Sequence, residues 1–129
     1  MKRVKSLSNK RLIAEAQVNG KPAYFLFDSG ASVALIDEDQ CKKYDVLEGR
    51  KFGSNVVGAG GEMKNVRYCN TFVDFEGKKI PQFLIGDISS VVKSIKRETG
   101  VEILGIISLP QMKICGFGID ANDMEIIVE

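Results

Sequence analysis

The segment best suited to chemistry is Asp28-Ser29-Gly30, which places a carboxylate, a hydroxyl and a glycine in consecutive positions. Apolar runs rich in aromatic and β-branched residues lead into it from Tyr24 and away from it to Ile36, and both are short enough to be strands. An ionised carboxylate between two buried strands is costly unless hydrogen bonds or a proton-sharing partner stabilise it. The tripeptide is therefore a candidate for acid–base chemistry; the alternative is an ordinary turn closed by an Asx hydrogen bond.

The residue types available elsewhere narrow the chemistry. The sequence has no histidine, which excludes Ser-His-Asp and Cys-His catalysis and nearly all common zinc sites. Acid–base chemistry must then come from carboxylates, lysine, tyrosine or cysteine, and paired carboxylates are the simplest arrangement. The three cysteines, Cys41, Cys69 and Cys115, lack a Cys-x-x-Cys spacing, so we interpret them as free thiols that pack as small apolar side chains. A redox or thiol function is a separate hypothesis.

The composition is that of one soluble globular domain. Of the 129 residues, 44% are hydrophobic and 27% are charged, and the formal net charge is +1. So small a charge produces no global field, and neither nucleic acid nor an anionic membrane is favoured as a partner. The basic segment Met1 to Lys5 is not followed by the apolar core of a signal peptide. We therefore expect a cytoplasmic protein, unless the chain is a trimmed part of a longer one.

A hairpin is predicted to deliver Asp28 to the end of a strand. Residues 12–18 alternate between apolar and polar side chains, which is typical of a half-buried strand. Asn19-Gly20 follows and is the strongest short signal for a type I′ turn. The returning strand, about Ala23 to Phe27, then leads directly into the carboxylate.

The stretch Gly58-Ala59-Gly60-Gly61 lies between Val56-Val57 and the run Val66 to Tyr68. Three glycines in four residues suit the tip of a hairpin that moves, and a plain loop is equally compatible with them. Phosphate binding is not favoured, because no Gly-Lys-Ser/Thr follows and no helix begins here. The sequence predicts a glycine-rich tip between two strands and leaves its role open.

Two helices are indicated. Asp37 can cap a short helix, with Gln40 at the third helical position completing a box-like pair. A longer amphipathic helix is predicted from a cap at Asp87 to about Thr99, and Gly100 closes its C-terminus. We interpret the longer helix as scaffold.

The late part of the chain contains two more predicted hairpins and one informative motif. Residues 70–75 are predicted to pair with 78–85, and residues 113–119 with 124–128. Between them lies Ile103-Leu104-Gly105, in which the glycine permits close approach of another backbone.

The order of these features resembles the single-lobe, retropepsin-like aspartic proteases, most closely the bacterial aspartyl proteases of that type. Asp28-Ser29-Gly30-Ala31 after Phe25-Leu26-Phe27 is similar to the family's active-site signature, Asp-Thr/Ser-Gly-Ala/Ser. Ile103-Leu104-Gly105 resembles the partner motif that crosses beside the catalytic loop. The resemblance covers nearly the whole chain and implies one all-β domain, residues 1–129, with a half-barrel and two or three short helices.

The resemblance also implies an activity, an aspartic endopeptidase that works as a homodimer. The chain has one catalytic loop and no room for a second lobe, so Asp28 from each subunit would meet across a two-fold axis and activate a water. The implied partner is a peptide or protein substrate, and no metal or other cofactor is implied. Ser29 would hold the two loops together, and Gly30 and Ala31 would line the cleft. The flap over the substrate would consist of Val57, Gly58, Ala59, Gly60 and Gly61.

Three positions depart from the retroviral pattern of the family. Ser32 and Ile106 stand where retroviral members have an acidic residue and an arginine that pair in the dimer, so both partners are replaced together. Pro110 falls where the family's helix continues, which predicts a helix that is short or begins late, with Ser108 as a possible cap. The main alternative function is a non-enzymatic module of the same fold that dimerises or binds peptides without hydrolysing them.

Overall fold

The computed structural model of the chain describes residues 1–58 and 61–129. Strands account for 44% and helices for 17% of the chain, so the predicted all-β class is confirmed. The strands are, in chain order, β1 (Lys2–Lys5), β2 (Ile13–Val18), β3 (Lys21–Asp28), β4 (Ala34–Asp37), β5 (Glu48–Lys51), β6 (Val56–Gly58), β7 (Gly61–Met63), β8 (Arg67–Cys69), β9 (Val73–Phe75), β10 (Lys78–Ile80), β11 (Phe83–Gly86), β12 (Gly105–Ser108), β13 (Phe117–Asp120) and β14 (Glu125–Val128). The helices are α1 (Ser89–Thr99), α2 (Leu109–Cys115) and a 3-10 helix (Glu38–Gln40).

Nine of these strands form one curled sheet, a half-barrel, in the order β10-β9-β2-β3-β12-β4-β11-β8-β5. Within it, β3 pairs antiparallel with β2 on one side and parallel with β12 on the other. A three-stranded sheet has the order β1-β14-β13, and β6 and β7 form a two-stranded sheet. The strand that ends at Asp28 is therefore paired along both of its edges.

The positions of the two tight turns were predicted correctly. Asn19 and Gly20 have φ values of 52° and 78°, as a type I′ turn requires, and they connect β2 to β3 with Val18 opposite Lys21. Glu76 and Gly77 likewise have φ values of 50° and 81° between β9 and β10. Such turns fix the register of their strands, so the first hairpin determines where β3 delivers its last residue.

Side chains of β3 alternate between the two faces of the sheet and reach two separate parts of the core. Phe25 and Phe27 lie in the larger cluster, where the ring of Phe27 is 5.1 Å from that of Phe75. Leu26 lies in the second cluster, which includes the buried side of α1. Full burial of an aromatic or aliphatic side chain contributes about 1.5–3 kcal/mol, so β3 is anchored from both faces.

The predicted cap at Asp37 is present, whereas the N-cap of α1 is Ile88, one residue after the predicted Asp87. The Asp87 carboxylate accepts a hydrogen bond from the Ser89 N–H at 3.0 Å, and Gly100 ends α1 with a left-handed φ of 81°. Asp37 is the N-cap of the 3-10 helix, and Gln40 Nε2 donates to its carboxylate at 2.9 Å. None of the helices in the described ranges is long and apolar enough to cross a membrane.

The predicted strand over residues 78–85 is wrong as a single element. It is interrupted at Pro81, which has no N–H to donate to a ladder, and at Gln82, whose φ is 68°. Strand β11 therefore begins anew and pairs with β4 and β8 rather than with β9.

Two other predicted hairpins have different arms in the structure. The strand that returns from the glycine-rich tip is β7, whereas the predicted arm Val66 to Tyr68 contributes to β8 in the main sheet. Residues 113–115 form the last turn of α2, which Gly116 ends with a φ of 75°. The final hairpin thus begins at β13 and pairs with β14.

Candidate active site

Asp28 is the last residue of β3, and its backbone position is set from both sides. On one side the Phe27 N–H donates to the Leu12 carbonyl at 2.8 Å, which extends the ladder with β2. On the other side Ser108, the last residue of β12, lies in register with Asp28. A side chain attached to a backbone held in this way has little freedom to shift, which is what a catalytic group requires.

The turn after Asp28 is closed by the carboxylate itself. Its Oδ1 accepts a hydrogen bond from the Gly30 N–H at 2.9 Å, and the Asp28 carbonyl accepts one from the Ala31 N–H at 3.1 Å. This is the Asx hydrogen bond of an ordinary turn, and it also orients the carboxylate. Among residues 1–58 and 61–129, no hydrogen bond occupies Oδ2. That second oxygen is therefore available to a water, a substrate or another carboxyl group.

The Asp28 carboxylate packs closely against Gly30. A Cβ atom at this position would lie 3.3 Å from Asp28 Oδ1, closer than most Cβ contacts in proteins. The loop is also open to its surroundings, because Ser29 and Gly30 are exposed while Asp28 and Ala31 are half-buried. The four residues predicted for the loop are thus brought together at the surface of a single chain.

Arg11 is a charged residue near Asp28 that has no signal in the local sequence. The ladder of β2 and β3, extended one residue beyond Leu12, places Arg11 opposite Asp28. Its guanidinium binds both carboxylate oxygens of Glu98, on α1, at 3.0 and 3.2 Å. The pKa of Arg11 is raised first by the hydrogen bond to Glu98 and also by the charges of Glu98 and Asp28.

The predicted partner motif ends at the first residue of β12, the strand that pairs in parallel with β3. Gly105 is opposite Phe25, three residues before Asp28. A Cβ atom on Gly105 would lie 2.3 Å from the Leu35 carbonyl oxygen, so the predicted close backbone approach is present. Ile103 and Leu104 are fully buried and lead into β12. The motif therefore packs β12 between β3 and β4.

The residue that lies beside Asp28 is Ser108, which is 2% exposed. Its N–H donates to Gln111 Oε1 at 3.0 Å and its hydroxyl to the same atom at 3.2 Å, so it caps the first turn of α2. The short helix with a Ser108 cap is as predicted, and Pro110 is tolerated in its first turn. Sequence reasoning missed the position of Ser108 beside the carboxylate, because the register of parallel strands leaves no local signal.

The predicted flap corresponds in part to the hairpin of β6 and β7. Val57 and Gly58 lie on β6 and Gly61 begins β7, where Gly58 pairs with Gly61. Ala59 and Gly60 lie outside the described residues. The side chain of Val56 is buried in the core cluster that includes α1, whereas Val57 is 79% exposed. The described part of the hairpin is thus anchored at its base and presents an apolar side chain near its tip.

A cavity of about 350 Å³ is lined in part by the residues that come directly after the Asp28 loop in the sequence. Phe52 and Tyr68 form one wall, with their ring centroids 5.4 Å apart in an edge-to-face arrangement. Ser32, Val33 and Pro110 line other parts of it. A concave site with aromatic and aliphatic walls suits an apolar side chain of a ligand.

The cysteines are poorly suited to chemistry. Burial raises the pKa of the Cys41 thiol to about 11, and burial also raises the pKa of Cys69 and of Cys115. Thiols with raised pKa values carry little thiolate at neutral pH, and thiolate is the reactive form. These properties argue against the thiol hypothesis.

One group of carboxylates has the spacing of a metal site within the described part of the chain, namely Asp120, Asp123 and Glu125. Arg3 Nη1 already binds Asp120 and Glu125, at 3.0 Å each. An arginine in this position neutralises the charge that a cation would need, so we interpret the group as an ion-pair cluster that fastens β1 to the last hairpin.

Comparison with known proteins is consistent with this site. Residues 14–109 match a family model described as aspartyl protease. The structure of EIAV protease complexed with the inhibitor HBY-793 has a TM-score of 0.60 and 19% identity, over 82% of this chain and 88% of that chain. The retroviral protease-like domain of Ddi1 from Leishmania major has a TM-score of 0.60 and 18% identity, over 92% and 88% of the two chains.

A retropepsin-like aspartic protease from Rickettsia conorii has a TM-score of 0.59 and 16% identity, over 98% of this chain and 88% of that chain. No curated protein matches the sequence. At such identities the structural likeness establishes the fold and not the activity. The retropepsin-like fold predicted from the sequence is therefore confirmed.

Proposed function

Because this chain belongs to the aspartyl protease family, we propose that it is an aspartic endopeptidase that hydrolyses peptide bonds as a homodimer. The observation that carries the proposal is the state of Asp28. Its backbone is fixed by strands on both sides, one carboxylate oxygen is oriented by Gly30, and the other has no hydrogen-bond donor within the described residues. Asp28 is thus a fixed acid–base group with one carboxylate oxygen available to a water or a second carboxyl group.

A homodimer is proposed because one carboxylate cannot act as acid and base at once. The sequence contains a single Asp-Ser-Gly segment, so the second carboxyl group must come from a second copy of the chain. Two such groups a few ångströms apart cannot both ionise cheaply, and they therefore share a proton. The exposure of Ser29 and Gly30 in the single chain leaves the loop free to meet its counterpart across a two-fold axis.

In the proposed reaction the ionised Asp28 takes a proton from a water, and the oxygen of that water attacks the carbonyl carbon of the scissile bond. The protonated Asp28 of the other copy donates a hydrogen bond to the carbonyl oxygen as negative charge develops there. The tetrahedral intermediate collapses when the Asp28 that took the water proton gives it to the peptide nitrogen and the C–N bond breaks, which restores the ionised carboxylate. The products are a carboxylic acid and an amine, and no covalent bond to the protein forms.

The proposed substrate is an extended peptide with apolar side chains. It would bind as an added strand beside the loop, in the manner of other peptides that pair with sheet edges. The cavity lined by Phe52, Tyr68 and the residues directly after the loop would accept an apolar side chain. The β6–β7 hairpin would close over the peptide as a flap and exclude water.

Incubation of the protein with an unstructured, apolar-rich protein, followed by mass spectrometry of the fragments, tests this function. We expect cleavage by the wild type and a loss of about 100-fold to 10,000-fold in Asp28→Asn, which has no group able to accept the proton. Asp39→Asn, which changes an exposed aspartate away from the loop, is the matched control and is expected to retain activity. A folded wild type that binds peptides without cleaving them would favour the non-enzymatic alternative, and cleavage by folded Asp28→Asn would exclude the proposed mechanism.

A further inference from the structure

The Asp28 end of β3 is flanked on both sides by an exposed leucine. The segment leading into β2 contains Leu7, which is 53% exposed, and α2, which follows β12, begins with Leu109, which is 42% exposed. Because β2 and β12 are the two neighbours of β3, these leucines lie on opposite sides of the strand that carries the carboxylate. Single exposed leucines are common on protein surfaces, so the argument depends on how these two are held.

The backbone of Leu109 is bonded to the Asp28 loop, and the backbone of Leu7 is bonded to β2, the strand that pairs with β3. The Leu109 N–H donates to the Ala31 carbonyl at 3.1 Å, directly after the Asp28 turn. The Leu7 N–H donates to the Ile13 carbonyl at 2.9 Å, and Ile13 is opposite Leu26, two residues before Asp28. Any body that docks on the exposed Ser29-Gly30 turn must therefore approach Leu109 and the Leu7 segment as well.

From this arrangement we propose that Leu7 and Leu109 form the apolar part of the surface by which a second copy of this chain docks across the Asp28 loop. The inference rests on the proposed function, since two Asp28 carboxylates that share a proton must lie within a few ångströms of each other. An interface around a two-fold axis is made of the same patch on both copies, so each leucine contributes twice.

Three of the free sheet edges offer a less favourable route to a dimer than the Asp28 face does. Three of the outer strands, β1, β5 and β10, each carry at least two lysine or arginine residues. Cationic edges oppose the addition of a strand from an identical copy. Around the Asp28 loop, by contrast, the cation Arg11 is already neutralised by Glu98. The leucine pair thus adds apolar contact beside the Asp28 loop without adding like charges to it.

Sedimentation velocity over a concentration series, with Leu109→Glu, Leu7→Glu and Leu47→Glu, tests the proposal. Leu47, which is 65% exposed, precedes β5 at the far edge of the main sheet and serves as the matched control. A glutamate is compatible with the first position of a helix, so Leu109→Glu is expected to fold. Circular dichroism checks this, and Leu109→Ala provides a milder second variant.

We expect a dimeric wild type, a dissociation constant raised about 100-fold or more by Leu109→Glu and about tenfold by Leu109→Ala, because each change occurs twice per interface. Leu7→Glu should weaken the dimer in the same direction, and Leu47→Glu should leave it unchanged. A dimeric wild type that Leu109→Glu and Leu7→Glu do not weaken would overturn the leucine surface while leaving the proposed hydrolysis intact. A wild type that stays monomeric with peptide bound would overturn both.

Discussion

Strand β3, which carries Asp28, is hydrogen-bonded to a neighbour along both edges, whereas β6 and β7, as far as residues 1–58 and 61–129 are described, pair only with each other. The side chains of β3 enter the core on both faces of the sheet. The hairpin is anchored by Val56 and leaves Val57 79% exposed. The carboxylate is therefore placed by a strand paired on both edges, and the segment proposed to cover it is anchored in the core through Val56 at its base.

The largest effect is expected from a substitution in β12, which pairs with β3 along one edge. Gly105→Ala places a Cβ atom 2.3 Å from the Leu35 carbonyl oxygen, and neither backbone can move without disturbing the strands on both sides. We expect a loss of at least about 3 kcal/mol in the free energy of unfolding, measured by urea denaturation, or failure to fold. Gly53→Ala is the control, because a Cβ atom there meets nothing within 4 Å. Equal denaturation midpoints for the two variants would contradict the close approach of β12.

A smaller effect is expected from a substitution in the hairpin of β6 and β7. Val57→Ser removes an exposed apolar side chain, so the free energy of unfolding should change by less than about 0.5 kcal/mol. If the hairpin covers the substrate, the loss of this apolar contact should lower kcat/KM by about tenfold. Leu47→Ser, at another exposed position, should leave kcat/KM unchanged. An unaltered kcat/KM in Val57→Ser would remove Val57 from the proposed flap.

The smallest effect concerns Asp37, at the end of β4, where the parallel strands β4 and β11 finish side by side. Asp37 is 3% exposed, and burial raises the pKa of its carboxyl above the ordinary value of 3.8. A raised pKa in the folded state means stability that is present below pH 3.8 and is lost as the pH rises through the folded pKa. Asp37→Asn cannot titrate at this position.

Urea denaturation at a series of pH values measures this difference. Relative to Asp37→Asn, the wild type should lose stability as the pH is raised from below 3.8. The hydrogen bond from Gln40 limits the loss, because it favours the ionised form. A stability difference that is independent of pH, or that moves in the opposite direction, would show that burial of Asp37 does not control its ionisation.

The parts of the fold that could be predicted are those with local signals. Asn19-Gly20 and Glu76-Gly77 fix their turns through left-handed conformations that few other residue pairs favour, and Gly100 ends α1 for the same reason. The loop residues Asp28 to Ala31 were found because carboxylate, hydroxyl and glycine are adjacent in sequence. Pro81 gave a local signal too, since a missing N–H interrupts a ladder, but the apolar residues after it concealed the break.

The parts that could not be predicted depend on pairing between distant segments. Ser108 lies beside Asp28 because β12 runs parallel to β3 in a particular register, and nothing near either residue specifies that register. Arg11 lies opposite Asp28 for the same kind of reason, and its pairing with Glu98 requires α1 to pack on that face. The extent of α2 was also missed: residues 113–115 were assigned to the last hairpin, because seven helical residues are too few for their periodicity to stand out.

The most direct test of the central claim, that two copies of Asp28 act together, is a subunit-mixing experiment. Wild type and Asp28→Asn are refolded together at fixed total concentration, and peptide hydrolysis is measured as the wild-type fraction is varied. If both carboxylates are needed, activity follows the square of that fraction, so an equal mixture retains about a quarter of the wild-type rate. An equal mixture that retains half of the rate would show that each chain works alone and would contradict the account.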